Sequence, residues 1–126
     1  MNTILILEQD FIFLDFLVEL LNEHGFRTIA SQDERLGLQL AQSHIPDLII
    51  CDVTKTDSNG YKLLSTLRRS SMTRKIPCIF ITREGTHKNY PSPRELKADD
   101  YLDESCTVEE FLQAIEAQFA PSKQVA

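Results

Sequence analysis

No stretch of this sequence approaches the roughly 20 consecutive apolar residues that a bilayer-spanning helix requires. The opening MNTILILEQD lacks a basic segment and turns acidic after one short apolar run. Neither a membrane span nor a secretory leader is expected, and the cytoplasm is the expected location. Cysteine is sparse: the three present include no C-x-x-C pair and none at metal-ligand spacing from a histidine, so no zinc or redox motif is legible. Cys51 and Cys78 lie inside apolar runs and read as small core residues, whereas Cys106 falls in a polar stretch. Positive charge is also in deficit, with 13 Lys and Arg against 19 Asp and Glu and a net charge of −6. Nucleic acid is therefore not an expected partner, because binding it requires a basic footprint. The one local cluster, Arg68-Arg69 to Arg74-Lys75, reads as a solvated helix end that complements the helix dipole.

What is present is an ordinary globular composition of 126 residues, 42% apolar and 25% charged, long enough for one domain with a real core. Residues 1–120 are expected to form that domain, with 121–126 as a flexible tail. Short apolar runs alternate with helical periodicity. TILIL (Thr3 to Leu7), Arg27 to Ala30, DLIIC (Asp47 to Cys51), CIFIT (Cys78 to Thr82) and Asp100 to Asp103 read as strands, the second of them less apolar and expected at an edge. Between them, Phe13, Leu14, Leu17, Leu20 and Leu21 recur at helical spacing up to Gly25. A second helix is capped by Asp33 and ends before Pro46, and a third runs from Gly60 to Ser70. Val108, Phe111, Leu112 and Ile115 mark the last helix, while Pro91 and Pro93 interrupt any helix after the fourth strand. Strands alternating with helices predict an α/β fold, a doubly wound five-stranded parallel sheet with helices on both faces. Right-handed crossovers limit the topologies to a few, the flavodoxin-like strand order 2-1-3-4-5 among them.

In such sheets, ligands bind at the carboxyl ends of the strands. There the first strand runs into Glu8-Gln9-Asp10, the third into Asp52, the fourth into Thr82 and the fifth into Asp103-Glu104. Acids at strand ends also cap helices, and Asp10 is open to either reading. Asp52 directly follows four apolar residues, so its carboxylate is held at the mouth of the central strand. A carboxylate there can act as a nucleophile toward a phosphoryl group, with a divalent cation offsetting the charge repulsion.

The order ILILEQD, DLIICD, a Gly eight positions after that Asp, IPCIFIT and ADDYL resembles the receiver domains of two-component response regulators over essentially the whole chain. The resemblance implies that Asp52 is the phosphoacceptor. It places Glu8 and Gln9 at the paired acidic positions that hold Mg²⁺, with the backbone carbonyl of Thr54 as a third ligand. It also makes Thr82 the switch hydroxyl and Tyr101 the aromatic whose rotamer reports activation. Histidine kinases or phosphotransfer proteins are the implied donors, and a downstream protein the implied target.

The sequence departs from the family at two positions. Gln9 stands where the family has a metal-binding acid, which removes one negative charge from a hard-cation site; Asp10 either replaces it or only caps the helix. Glu104-Ser105 stands where the family has Lys–Pro, so a carboxylate replaces the cation that contacts the phosphoryl oxygens. Arg83 and Lys55 are the candidate replacement cations. Mg²⁺ binding and phosphorylation are both expected to be weakened. The run Phe11-Ile12-Phe13-Leu14 cannot face one side of a helix, so part of it lies under a loop or forms a docking or homodimer patch.

The resulting expectation is a non-enzymatic, stand-alone phosphorelay receiver acting through protein contacts, since only a short tail follows the last helix. A phosphorylation-independent pseudo-receiver is the alternative. A flavin or nucleotide-binding protein would need a Gly- or Ser/Thr-rich phosphate loop where the acidic, bulky Glu8-Gln9-Asp10-Phe11-Ile12 stands. An aspartyl phosphatase would need a second acid that Asp52-Val53-Thr54 does not supply.

Overall fold

The computed structural model describes residues 1–53, 60–82 and 98–120. In chain order its elements are β1 (Thr3–Leu7), α1 (Phe11–Glu23), β2 (Arg27–Ser31), α2 (Glu34–His44), β3 (Leu48–Asp52), α3 (Gly60–Arg69), β4 (Cys78–Thr82), β5 (Asp100–Asp103) and α4 (Val108–Phe119). All pairings are parallel, in the order β2-β1-β3-β4-β5. The expected flavodoxin-like sheet is thus the observed one, with β3 at its centre and the polar β2 at an edge.

The apolar strands show no polar alternation because both sheet faces are covered. Alternate residues of each strand feed separate cores. Leu5, Leu7, Ile49, Cys51, Cys78 and Phe80 pack with Leu63, Leu64 and Leu67 of α3 and Ala41 of α2. Ile4, Ile6, Leu48, Ile50, Ile79 and Ile81 pack with Leu14, Leu17 and Leu21 of α1 and Phe111 and Ile115 of α4. Each such aliphatic side chain contributes about 1.5–3 kcal/mol on burial.

Helix ends follow their local chemistry. Asp10 and Asp33 cap α1 and α2, and Thr107 with Glu110 forms a reciprocal capping box on α4. After α1, Gly25 takes φ 87°, a conformation with no side-chain penalty for glycine. After α2 the turn falls on Ile45, φ 44°, immediately before Pro46; a β-branched residue there is strained.

Strand limits differ from the expectation by single residues. β2 reaches Ser31, and β3 runs from Leu48 to Asp52 rather than from Asp47 to Cys51. Asp47 instead closes the entry to the sheet, its carboxylate accepting the N–H of Thr3 at 2.8 Å. Asp52 is a ladder residue, in register with Ile81 of β4. The interrupted helix expected around Pro91 and Pro93 and the tail at 121–126 lie outside the described residues.

Candidate functional site

Adjacent strands bring acids to the carboxyl edge of the sheet. Leu7 and Cys51 are register partners, so Glu8 and Asp52 occupy the next positions on neighbouring strands. The N–H of Glu8 donates to the carbonyl of Ser31 at 3.1 Å, which extends the ladder by one residue. Glu8 is 3% exposed and its Oε2 accepts the N–H of Asp10 at 3.0 Å. Asp52 is half-buried. The buried Cys51 thiol next to it is pushed well above its ordinary pKa, chiefly by burial and then by the charge of Glu34, with Cys78, Asp52 and Glu8 adding smaller contributions. Glu34 therefore belongs to the acidic surroundings of this edge. The sequence analysis missed it, because an acid in the first turn of a helix is accounted for by the helix dipole alone.

Asp10 caps. Its Oδ1 accepts the N–H groups of Ile12 at 3.0 Å and Phe13 at 3.3 Å, which commits that oxygen to the start of α1. Gln9 is exposed, and its carbonyl accepts Nε2 of Gln32 at 3.0 Å. Among the described residues no three His, Cys, Asp or Glu side chains form a group placed to hold a metal. Glu8 and Asp52 place two carboxylates at neighbouring positions of this edge, the oxygen-donor chemistry that a hard divalent cation takes. Thr54, Lys55 and Arg83 lie outside the described residues.

On the other side of Asp52, Thr82 is fully buried at the end of β4 and in register with Asp103. The carbonyl of Thr82 accepts the N–H of Glu104 at 2.8 Å, and Glu104 itself is exposed. Tyr101 pairs with Phe80, ring edge to face at 5.7 Å and 85°, and its hydroxyl accepts the N–H of Ala98 at 3.4 Å. Tyr61 of α3 meets the same Phe80 ring at 5.0 Å and 89°. The structure thus collects Glu8, Asp52, Thr82 and Glu104 along one edge, with Tyr101 packed against the strand that carries Thr82.

Arg68 corrects the reading of its cluster as a merely solvated helix end. Its Nη1 donates to the carbonyls of Arg74 at 3.0 Å and Ile76 at 2.7 Å, and its Nη2 pairs with Asp99 Oδ2 at 3.2 Å. The same Asp99 oxygen accepts the N–H of Cys78 at 2.8 Å. This tether joins α3, the start of β4 and the entry to β5 at the amino edge of the sheet, opposite the acids.

A parallel sheet of this order, with an acid ending its central strand and a buried acid beside it, fits a signalling receiver. Residues 4–116 match the response regulator receiver domain family, and the chain belongs to that family. It is 34% identical over 117 residues to the transcriptional regulatory protein CpxR of Escherichia coli K12, covering 93% of this chain and 49% of CpxR. It is 27% identical over 114 residues to the phosphate regulon regulator PhoB of the same organism, covering 90% of this chain and 50% of PhoB. The chain thus spans about half the length of the curated relatives it matches. The chemotaxis response regulator CheY4 of Vibrio cholerae superposes with a TM-score of 0.83 over 94% of this chain and 98% of its own, at 20% identity, a likeness of fold.

Proposed function

We propose that this receiver works in phosphorelay signalling with Asp52 at the phosphoacceptor position, that its acceptor chemistry is weakened by Gln9 and Glu104, and that its output passes through protein–protein contacts. It is a signalling module rather than a turnover enzyme. The observation that carries the reading is the position of Glu104, tied by its backbone to Thr82 at the edge where Asp52 ends the central strand.

In the forward step a carboxylate oxygen of Asp52 attacks the phosphorus of a phosphohistidine. An O–P bond forms, the P–N bond breaks, and the imidazole nitrogen leaves with the electron pair. Glu8, Asp52, the Gln9 amide and the Thr54 carbonyl are the residues that would hold Mg²⁺, which would supply positive charge against the repulsion between carboxylate and phosphoryl group. Glu8 supplies a carboxylate already withdrawn from water, and the Thr82 hydroxyl is placed to follow the phosphoryl group. Tyr101, packed on Phe80, transmits the change to the outer face of β5. The Glu104 carboxylate opposes this sequence, adding like charge where a dianionic phosphoryl group must settle. Arg83 or Lys55 is the candidate compensating cation.

The same substitution supports a second reading, a pseudo-receiver whose partners dock without phosphorylation. Histidine kinases or phosphotransfer proteins are the proposed donors in the first reading, and a downstream protein is the target in both. Beryllofluoride with Mg²⁺ separates them, with intact protein compared against Asp52→Ala. Binding that needs Asp52 and shifts the amide resonances of Thr82 and Tyr101 supports the phospho-switch. Absence of binding supports the pseudo-receiver.

A further inference from the structure

The cations of this chain are concentrated in one stretch. Residues 58–82 carry five Lys and Arg and no Asp or Glu, in a chain of net charge −6. Four of the five, Arg68, Arg69, Arg74 and Lys75, bracket the turn that joins α3 to β4. Arg68 is committed to the tether with Asp99. Arg69, Arg74 and Lys75 are exposed, and among the described residues their side chains form no ion pair. Between them stands Met72, 69% exposed. The helix dipole accounts for cations in the last turn of α3, but not for Arg74, Lys75 or an exposed methionine beyond it.

The turn is held in one shape by its own hydrogen bonds. The carbonyl of Ser70 accepts the N–H of Thr73 at 3.2 Å and of Arg74 at 2.9 Å, and the Ser70 hydroxyl accepts the N–H of Met72 at 3.3 Å. The Thr73 hydroxyl donates to the carbonyl of Leu67 at 2.7 Å. Thr73 and Ile76 are buried, so the turn packs inward through them and leaves Met72 and the three cations in water. A surface already ordered loses less entropy on binding than a flexible one. Arg and Met are enriched at protein interfaces, where an apolar anchor inside a polar rim carries much of the affinity.

We propose that the α3–β4 turn is a docking surface for an acidic amphipathic segment of a partner protein, whose carboxylates face Arg69, Arg74 and Lys75 while its apolar side chains cover Met72. Opposite charge selects the occupant and steers its approach. A short acidic segment meets the turn alone. An extended polyanion, a duplex or a bilayer, would also bring its charge against the acids of a chain with net charge −6. The turn lies at the amino edge of the sheet, separated from the acceptor edge by the length of β4, five residues at about 3.3 Å each. A partner docked there leaves the mouth around Asp52 open, and its binding needs neither Mg²⁺ nor phosphorylation.

The test uses the full chain without Mg²⁺ and two designed peptides of equal length and charge, one built from Leu and Glu and one from Gln and Glu. Binding is followed by peptide fluorescence anisotropy and by amide shifts. The Leu/Glu peptide is expected to bind, to shift amides within 68–76, to bind Asp52→Ala equally well and to weaken as salt is raised. Replacing Arg69, Arg74 and Lys75 together by Gln should weaken it by about tenfold or more. Arg69→Lys with Arg74→Lys keeps the charge and should retain most of the binding. Met72→Ser should weaken the Leu/Glu peptide and leave the weaker Gln/Glu peptide unchanged. Melting curves establish that the variants are folded. No binding of the Leu/Glu peptide, equal binding of both peptides, or indifference to the Gln substitutions would each overturn the proposal. Tighter binding of short duplex DNA or of anionic phospholipid vesicles would overturn it too, by making the partner a nucleic acid or a membrane. So would concentration-dependent self-association abolished by the Gln substitutions, which would make the occupant a second copy.

Discussion

The N–H of Glu104 donates to the carbonyl of Thr82 at 2.8 Å, so the residue proposed to stand at the family's lysine position is held by its own backbone at the end of β4. That backbone bond continues the β4–β5 ladder by one residue. Substitutions at 104 should therefore alter charge at the acceptor edge with little effect on the fold.

Gln9 is exposed and its carbonyl is already used by Gln32. Gln9→Asp would restore a third carboxylate to the oxygen donors of this edge. Mg²⁺ affinity, followed by calorimetry or amide shifts, is expected to rise about tenfold. No change would show that the side chain at 9 does not reach the cation.

Asp10 is a helix cap in this structure. Asp10→Asn keeps a capping oxygen and should leave both stability and Mg²⁺ affinity nearly unchanged. Asp10→Ala removes the acceptor of the Ile12 and Phe13 N–H groups and should cost about 0.5–2 kcal/mol in urea unfolding. A large loss of Mg²⁺ binding in Asp10→Asn would make Asp10 a metal ligand instead.

The Arg68 tether should matter to stability more than a surface cluster would. Arg68→Met leaves the carbonyls of Arg74 and Ile76 without this donor and is expected to destabilise the fold by about 1–3 kcal/mol. A double-mutant cycle with Asp99→Asn should show a coupling of about 0.5–3 kcal/mol. Additive effects would mean that the ion pair contributes nothing of its own.

Burial pushes the Cys78 thiol from its ordinary value of 9.0 up to about 12, against smaller lowering by Arg68. The folded state thus holds this proton more tightly than the unfolded chain. The associated stability is complete below the ordinary value and is lost as pH rises toward about 12. Urea midpoints between neutral and strongly alkaline pH should fall less for Cys78→Val than for the parent protein. A thiol reagent at neutral pH should label Cys106 first, since Cys51 and Cys78 are buried.

Much of this architecture was legible because β1, β3 and β4 are short apolar runs and α1, α2 and α4 carry their own caps. Asp33, Gly25 and the α4 periodicity act locally, so local reading found them. The polar composition of Arg27 to Ala30 marked an edge for the same reason. Asp10 stayed ambiguous, since an acid before a helix can cap or ligate and only the position of its Oδ1 decides. Arg68 was misread because its partner Asp99 is 31 residues away; no spacing rule anticipates a contact made by tertiary folding. Glu34 was missed because its influence on Cys51 arises from tertiary folding, which sets α2 against β1 and β2, with β1 beside β3. The exposed start of α1, Phe11 and Ile12, was visible as an excess of apolar residues.

The most direct test of a weakened acceptor site is a beryllofluoride titration in saturating Mg²⁺, comparing the parent chain with Glu104→Lys and with Asp52→Ala in each background. The account predicts weak binding to the parent and affinity about tenfold or more higher in Glu104→Lys, lost on Asp52→Ala. Tight, stoichiometric binding to the parent that Glu104→Lys leaves unchanged would contradict it.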